Sequence, residues 1–192
     1  VTEIKIWSGN TGAGVLARVQ TPSGEGRYNG DTHIDGVPGT ASPIELNFMD
    51  VAGSSVGALL PTGQPLDTIN GIDVTCIDVA MPMVIARATD FGLTGSETQH
   101  ELNSNRDFFK RMEAIRLVAG QKMGMGDCTE SVTPKFGLLE SLPDQGNILA
   151  RYFMPWEAHP TMAVTGSQAM ASCAIMPGTV AEGMMHIPSK RP

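Results

Sequence analysis

Alternating apolar and polar positions mark the first strands of this chain. Glu3-Ile4-Lys5-Ile6-Trp7 and residues 15–20 read as two strands, and Ile44-Glu45-Leu46-Asn47-Phe48 as a third with one face covered. Ser8-Gly9-Asn10-Thr11-Gly12 between the first two is a turn of hairpin type. Gly9, Gly12 and Gly14 do not spell G-x-G-x-x-G, and a strand rather than a helix follows, which disfavours a dinucleotide loop. Further strands are predicted at Ile72–Val79, at Met83–Ala88 after the Met81-Pro82 break, at Lys135–Leu139 and at Ile148–Phe153.

Two stretches carry helical signals. Residues 106–123 place Phe108, Met112, Ile115, Val118 and Ala119 at helical spacing, with Gly124 as the stop, and predict an amphipathic helix outside a sheet. The second begins at Val164-Thr165-Gly166-Ser167 and is apolar or small nearly all round through Ala169, Met170, Cys173 and Ile175. Such a helix is expected in the middle of its domain. Strands outnumber helices, so the fold class is α+β: a curled, mostly antiparallel sheet around a buried central helix, with an outer amphipathic helix. Residues 22–43, rich in Gly, Pro, Asp and Thr, read as a crossing between domains.

Charge and cysteine usage narrow the partners. The net charge is −7 and no Lys/Arg run interleaves with aromatics, so nucleic acid is not expected. No apolar run approaches the roughly 18 residues of a membrane helix. Three widely spaced cysteines argue against a disulfide framework and for a reducing compartment, so a cytoplasmic protein is expected. Val1 leads directly into a strand without a signal-peptide pattern. A start without Met, inside a strand, reads as a piece of something longer, and His186–Pro192 as a turn or a second cut edge. The histidines show no metal spacing with one another or with the cysteines, so no metal is expected.

The chemistry concentrates at the second helix. Thr165-Gly166-Ser167 in its first turn presents free backbone N–H groups and hydroxyls at the positive end of the dipole, a place for a carboxylate or phosphate. A plain N-cap would account for the same residues. His159, six residues before Thr165, suits acid–base work or a turn hydrogen bond. Arg151 suits a bidentate carboxylate contact or a solvent-facing strand position. Thr62-Gly63 and Met81-Pro82-Met83 are turns at strand ends, where binding residues often lie. Cys76 and Cys173 read as packing residues. Cys128 is placed in a loop without an adjoining base, and Lys135 opens a strand with no stronger claim.

Asn10-Thr11-Gly12, Gly36-Val37-Pro38-Gly39-Thr40-Ala41, Leu59-Leu60-Pro61-Thr62-Gly63, Glu113-Ala114-Ile115-Arg116, Met123-Gly124-Met125-Gly126-Asp127 and Ala163-Val164-Thr165-Gly166 resemble, in order and spacing, one family. It is the 2-methylaconitate isomerase and 4-oxalomesaconate tautomerase family, within the diaminopimelate-epimerase-like superfamily. The resemblance implies two domains, each a curled sheet around a helix, with substrate between the helix N-termini. Residues 1–41 would be the closing strands of a largely absent first domain plus the crossing, and residues 42–192 the second domain. It implies cofactor-independent proton transfer on a small polycarboxylate, with the catalytic base outside this chain and its identity unknown. Thr165, Gly166 and Ser167 would bind a carboxylate, with Arg151, His159, Thr62 and Gly63 lining the site. The expected partner is a missing N-terminal half or a second copy in a homodimer. Alternatively, the chain is a non-catalytic carboxylate-binding half. Ala163 stands where related amino-acid epimerases have their second catalytic cysteine, Met154-Pro155 replaces their Glu-Arg pair, and Met81-Pro82-Met83 their Asn-Pro-His; all three disfavour amino-acid racemisation. Asp90-Phe91-Gly92 to Asn103 and Arg151–Pro155 look closer to the 4-oxalomesaconate tautomerases.

Overall fold

A computed structural model describes residues 1–7, 9, 13–34, 37–142 and 148–185. Asn10-Thr11-Gly12, Gly36 and the tail from His186 lie outside the described residues. The chain divides into two compact units, Val1–Val51 and Ala52–Pro192.

The first unit is a three-stranded antiparallel sheet in the order β1 (Thr2–Trp7), β2 (Gly14–Val19), β3 (Ile44–Phe48). Register places Ile6 opposite Val15 and Val15 opposite Phe48, and Ile4 opposite Ala17 and Ala17 opposite Leu46. One face is therefore apolar across all three strands, yet Ile4, Ile6, Ile44 and Leu46 are exposed. The other face carries Arg18 between Glu3 and Glu45, which raise its pKa through the Glu3 hydrogen bond and charge first. The strand at Ile44–Phe48 thus pairs with the first unit, whereas the sequence boundary at 41/42 assigned it to the second. Pairing decides this, because a half-buried strand alternates alike in either sheet.

The second unit is α+β. Its five-stranded sheet has the order β4 (Asp67–Ile69), β5 (Ile72–Asp78), β6 (Pro82–Arg87), β7 (Lys135–Ser141), β8 (Ile148–Phe153). All pairs are antiparallel except β6 with β7. Asn70-Gly71 joins β4 to β5 with both φ values positive (51° and 79°), as a two-residue hairpin turn requires. Parallel β6 and β7 need a crossover, supplied by α1 (Gln99–Ser104) and α2 (Arg106–Lys122). Thr98 and Glu101 form a capping box on α1, and Asn105 caps α2 by accepting from the Phe108 N–H. Asp78 ends β5 fully buried, and its Oδ2 accepts from the N–H groups of Ser55 and Val56, which ties down the loop before β4.

The alternation of each strand divides the core between two faces. Val74, Val84, Phe136 and Phe153 pack in one cluster with Phe108, Met112 and Ile115 of α2. The residues between them face α3 (Val164–Ile175), which lies against β5, β6 and β7. A Cβ at Gly137 would lie 3.0 Å from Met170 Cε, so glycine lets α3 approach β7 closely. Two expectations need correction. α3 is covered on one side only: Gly166, Ala169, Met170, Cys173 and Ala174 are buried, whereas Val164 and Ile175 are 54% and 60% exposed. Its apolar composition does not say which face is covered. Val118, expected on the buried face of α2, is exposed, and that face is completed by Arg116 instead.

Arg116 is fully buried. It pairs with both carboxylate oxygens of Glu113 at 2.7 Å and donates to the carbonyls of Cys128, Ser131, Thr133 and Pro134. These bonds satisfy the backbone of the segment that returns from α2 to β7. Arg116→Met should therefore lower unfolding free energy by about 3–5 kcal/mol, read from urea denaturation. Arg116→Lys should recover only a minor part, because a point ammonium cannot reach that set of acceptors. An unchanged urea midpoint would refute this role.

Candidate functional site

The start of α3 is uncapped. Ala163 holds the N-cap position in extended backbone (φ −74°, ψ 142°) with no side-chain cap. The first helical hydrogen bond runs from Ser167 N–H to Ala163 C=O at 2.8 Å. The N–H groups of Val164, Thr165 and Gly166 accordingly have no acceptor among the described residues. Three aligned donors at a positive dipole end are the chemistry that suits an anion such as a carboxylate or phosphate.

The two neighbours of that turn differ in what they offer. The half-buried Thr165 hydroxyl has no partner among the described residues and is available to a ligand. Ser167 is committed: its hydroxyl donates to Val164 C=O at 2.7 Å, and its exposed side chain lines an apolar groove with Met162, Ala171 and Ile175. Gly166 is required by packing, since a Cβ there would lie 2.5 Å from Tyr152 Cε2. A bulky residue at Gly166 would therefore disturb the Tyr152 packing as well as any ligand.

Tyr152, which the sequence did not single out, organises this corner. Its ring lies under Gly166, its hydroxyl donates to Met81 Sδ at 3.6 Å, and burial raises its pKa, so the phenol stays protonated. The His159 ring packs edge-on against that ring at 5.6 Å, and the His159 backbone N–H donates to the Tyr152 carbonyl. Its Nδ1 accepts from the Thr161 N–H at 3.0 Å, which leaves the proton of the neutral ring on Nε2. His159, Met81, Tyr152 and the α3 start are thus brought together.

The other expected residues sit elsewhere. Arg151 precedes Tyr152 on β8 and faces away from α3, opposite Leu138 of the α2-side core. It donates to the carbonyls of Glu97 and Ala150. Thr62 donates to Asp67 Oδ2 at 2.6 Å, and Asp67 also holds Lys122 at 2.6 Å. That network ties Thr62 and Gly63 to β4, the edge strand farthest from β8. Cys76, Cys128 and Cys173 are all buried. Burial, then the charge of Asp67, pushes the Cys76 thiol up to about 12, and burial also raises that of Cys173. Neither is a competent base. No group of metal-ligating residues occurs among the described residues, and no described helix is long and apolar enough to cross a membrane.

The free donors yield a specific test. Val164 is the first helical residue, and Ala163 already has the extended backbone that a following proline demands. Val164→Pro deletes one free N–H without breaking a helical bond. We expect unchanged thermal stability and at least about tenfold weaker binding of tricarballylate by calorimetry, as for a lost hydrogen bond to a charged group. Equal affinity would remove this N–H from the site.

The profile described as PrpF protein matches residues 1–190. The chain is 43% identical over 187 residues to the (4E)-oxalomesaconate Delta-isomerase of Novosphingobium sp. (strain KA1), covering 97% of this chain and 52% of that protein. It is 42% identical to the 4-oxalomesaconate tautomerase of Pseudomonas putida (strain KT2440), covering 95% of this chain and 51% of that protein. The crystal structure of a methylitaconate-delta-isomerase superposes with a TM-score of 0.89 at 30% identity, over 99% of this chain and 55% of that one. The chain spans about half the length of these relatives. From the match along almost its entire length, this chain belongs to the PrpF protein family.

Proposed function

We propose that this chain forms one wall of the active site of an isomerase that moves a proton and a double bond in a small polycarboxylate. The observation that carries the reading is the uncapped α3 start with its three free N–H groups. Relatives named for oxalomesaconate and methylitaconate isomerisation support it. One substrate carboxylate sits on the N–H groups of Val164, Thr165 and Gly166 and on the Thr165 hydroxyl. When a proton leaves the carbon beside an acyl group, negative charge moves onto oxygen, and preorganised donors stabilise it without reorganising. The allylic system of the substrate is itself the electron sink, so the reaction is cofactor-independent. The substrate resembles 4-oxalomesaconate or 2-methylaconitate.

The catalytic base comes from outside these residues, consistent with the buried thiols and with Nδ1 of His159 already accepting a hydrogen bond. The apolar face of the first unit supports a role as closing strands of another domain, which its side chains would help to cover. The partner that supplies the base is an N-terminal half, because a second copy of this chain brings only the same residues. The setting is cytoplasmic.

The whole protein, incubated with 4-oxalomesaconate or 2-methylaconitate in deuterated water, should isomerise one of them with one deuteron entering carbon, read by proton NMR. Residues 1–192 alone should bind tricarballylate without turnover. Isomerisation by that chain alone would overturn the placement of the base. Inactivity of the whole protein on both compounds, or racemisation of an amino acid, would overturn the reaction class.

A further inference from the structure

We propose that Lys135 is a second anion-binding group of the α3 site and holds another carboxylate of the same substrate; this rests on the polycarboxylate reading above. Lys135 opens β7, where it pairs with Met83 of β6. Phe136 and Leu138 face the α2-side core, and Gly137 faces Met170 of α3. Strand alternation therefore places Lys135 on the α3 side of the sheet. Two residues along a strand span about 6.6 Å, so Lys135 lies roughly one such step from Gly137. Gly137 is paired with Tyr152, whose ring lies under Gly166 in the first turn of α3. Lys135 thus occupies the sheet end at which β8 finishes, over which α3 begins.

The ammonium has no counterion there among the described residues. Lys135 is half-buried and has neither a hydrogen bond nor an ion pair among the described residues. By contrast, Lys122 is bonded to Asp67 at 2.6 Å. Arg116, whose charge acts on Lys135, gives that charge to Glu113 and its remaining donors to backbone carbonyls, ending with Pro134 immediately before Lys135. Arg116 therefore fixes the backbone that carries Lys135 while repelling its charge. Burial first, then Arg116, lowers the Lys135 pKa below that of an ordinary lysine. A partly desolvated cation beside another cation is stabilised by an incoming anion. A flexible ammonium suits a carboxylate whose position is set mainly by the helix. Two carboxylates held at separate points orient the carbon chain between them.

The test uses the whole protein and two probes, tricarballylate and the monocarboxylate propionate, with binding followed by calorimetry and NMR titration. Lys135→Met should weaken tricarballylate at least tenfold and leave propionate within about twofold. Lys135→Arg should restore most of the tricarballylate affinity. Val164→Pro should weaken both probes, because it removes a donor from the helix site. If Lys135→Met binds tricarballylate as the parent does while Val164→Pro loses both probes, Lys135 is no ligand and the α3 site stands. If neither variant changes either affinity, both the α3 site and Lys135 are overturned. Should Lys135→Met unfold, Lys135→Gln is the replacement, read against the same limits with its urea midpoint as control.

Discussion

The buried Arg116 guanidinium is the constraint on which the second unit depends. A parallel pair such as β6 and β7 cannot be closed by a tight turn, so the chain must leave the sheet, form α1 and α2, and return. The return from α2 to β7 is irregular, and irregular backbone near a core carries carbonyls that sheet and helix do not satisfy. Arg116 meets four of these carbonyls from inside α2 and balances its charge on Glu113 one helical turn earlier. The cost of desolvating a guanidinium is offset only because its donors are used together. The same contacts set where β7 begins, and so where Lys135 stands.

Two helices with different physical problems occupy the two faces of this sheet. α2 is amphipathic and capped by Asn105, and it covers a phenylalanine-rich core in which Phe91, Phe108 and Phe136 meet edge to face. α3 has no cap, small residues toward the sheet, and an exposed apolar side at Val164 and Ile175. Its closeness depends on Gly137 and Gly166, where a Cβ would press on Met170 and Tyr152. The feature that makes α3 thermodynamically awkward, free donors at its start, is also what an anion can satisfy.

Adjacent residues on β8 illustrate why a site is hard to assemble from sequence. Arg151 and Tyr152 are neighbours, but a strand sends them to opposite faces. Arg151 holds the loop at Glu97, while Tyr152 supports the α3 start and His159. The Glu113-Ala114-Ile115-Arg116 run has a similar lesson. It carries part of the family resemblance, yet the buried Arg116 spends its donors on the partly exposed Glu113 and on backbone carbonyls.

Local signals alone determined much of this protein. Strand-like patterns located β1, β2, β3, β5, β6, β7 and β8, a period-3.6 pattern located α2, and an apolar run behind Thr165-Gly166-Ser167 located α3. The Asn70-Gly71 turn was not singled out, although few other residues tolerate two successive positive φ values. Thr165 and Gly166 were identifiable at a helix start because N–H groups there are always unpaired by the helix itself. Only the tertiary structure decided which sheet takes Ile44–Phe48, that β6 and β7 run parallel, and that α3 is covered on a single side. It also separated Arg151, Thr62 and Gly63 from the α3 start and brought Tyr152 and Lys135 to that end of the sheet. Strand pairing and packing between residues far apart in the chain fix these relations, and no local spacing encodes them.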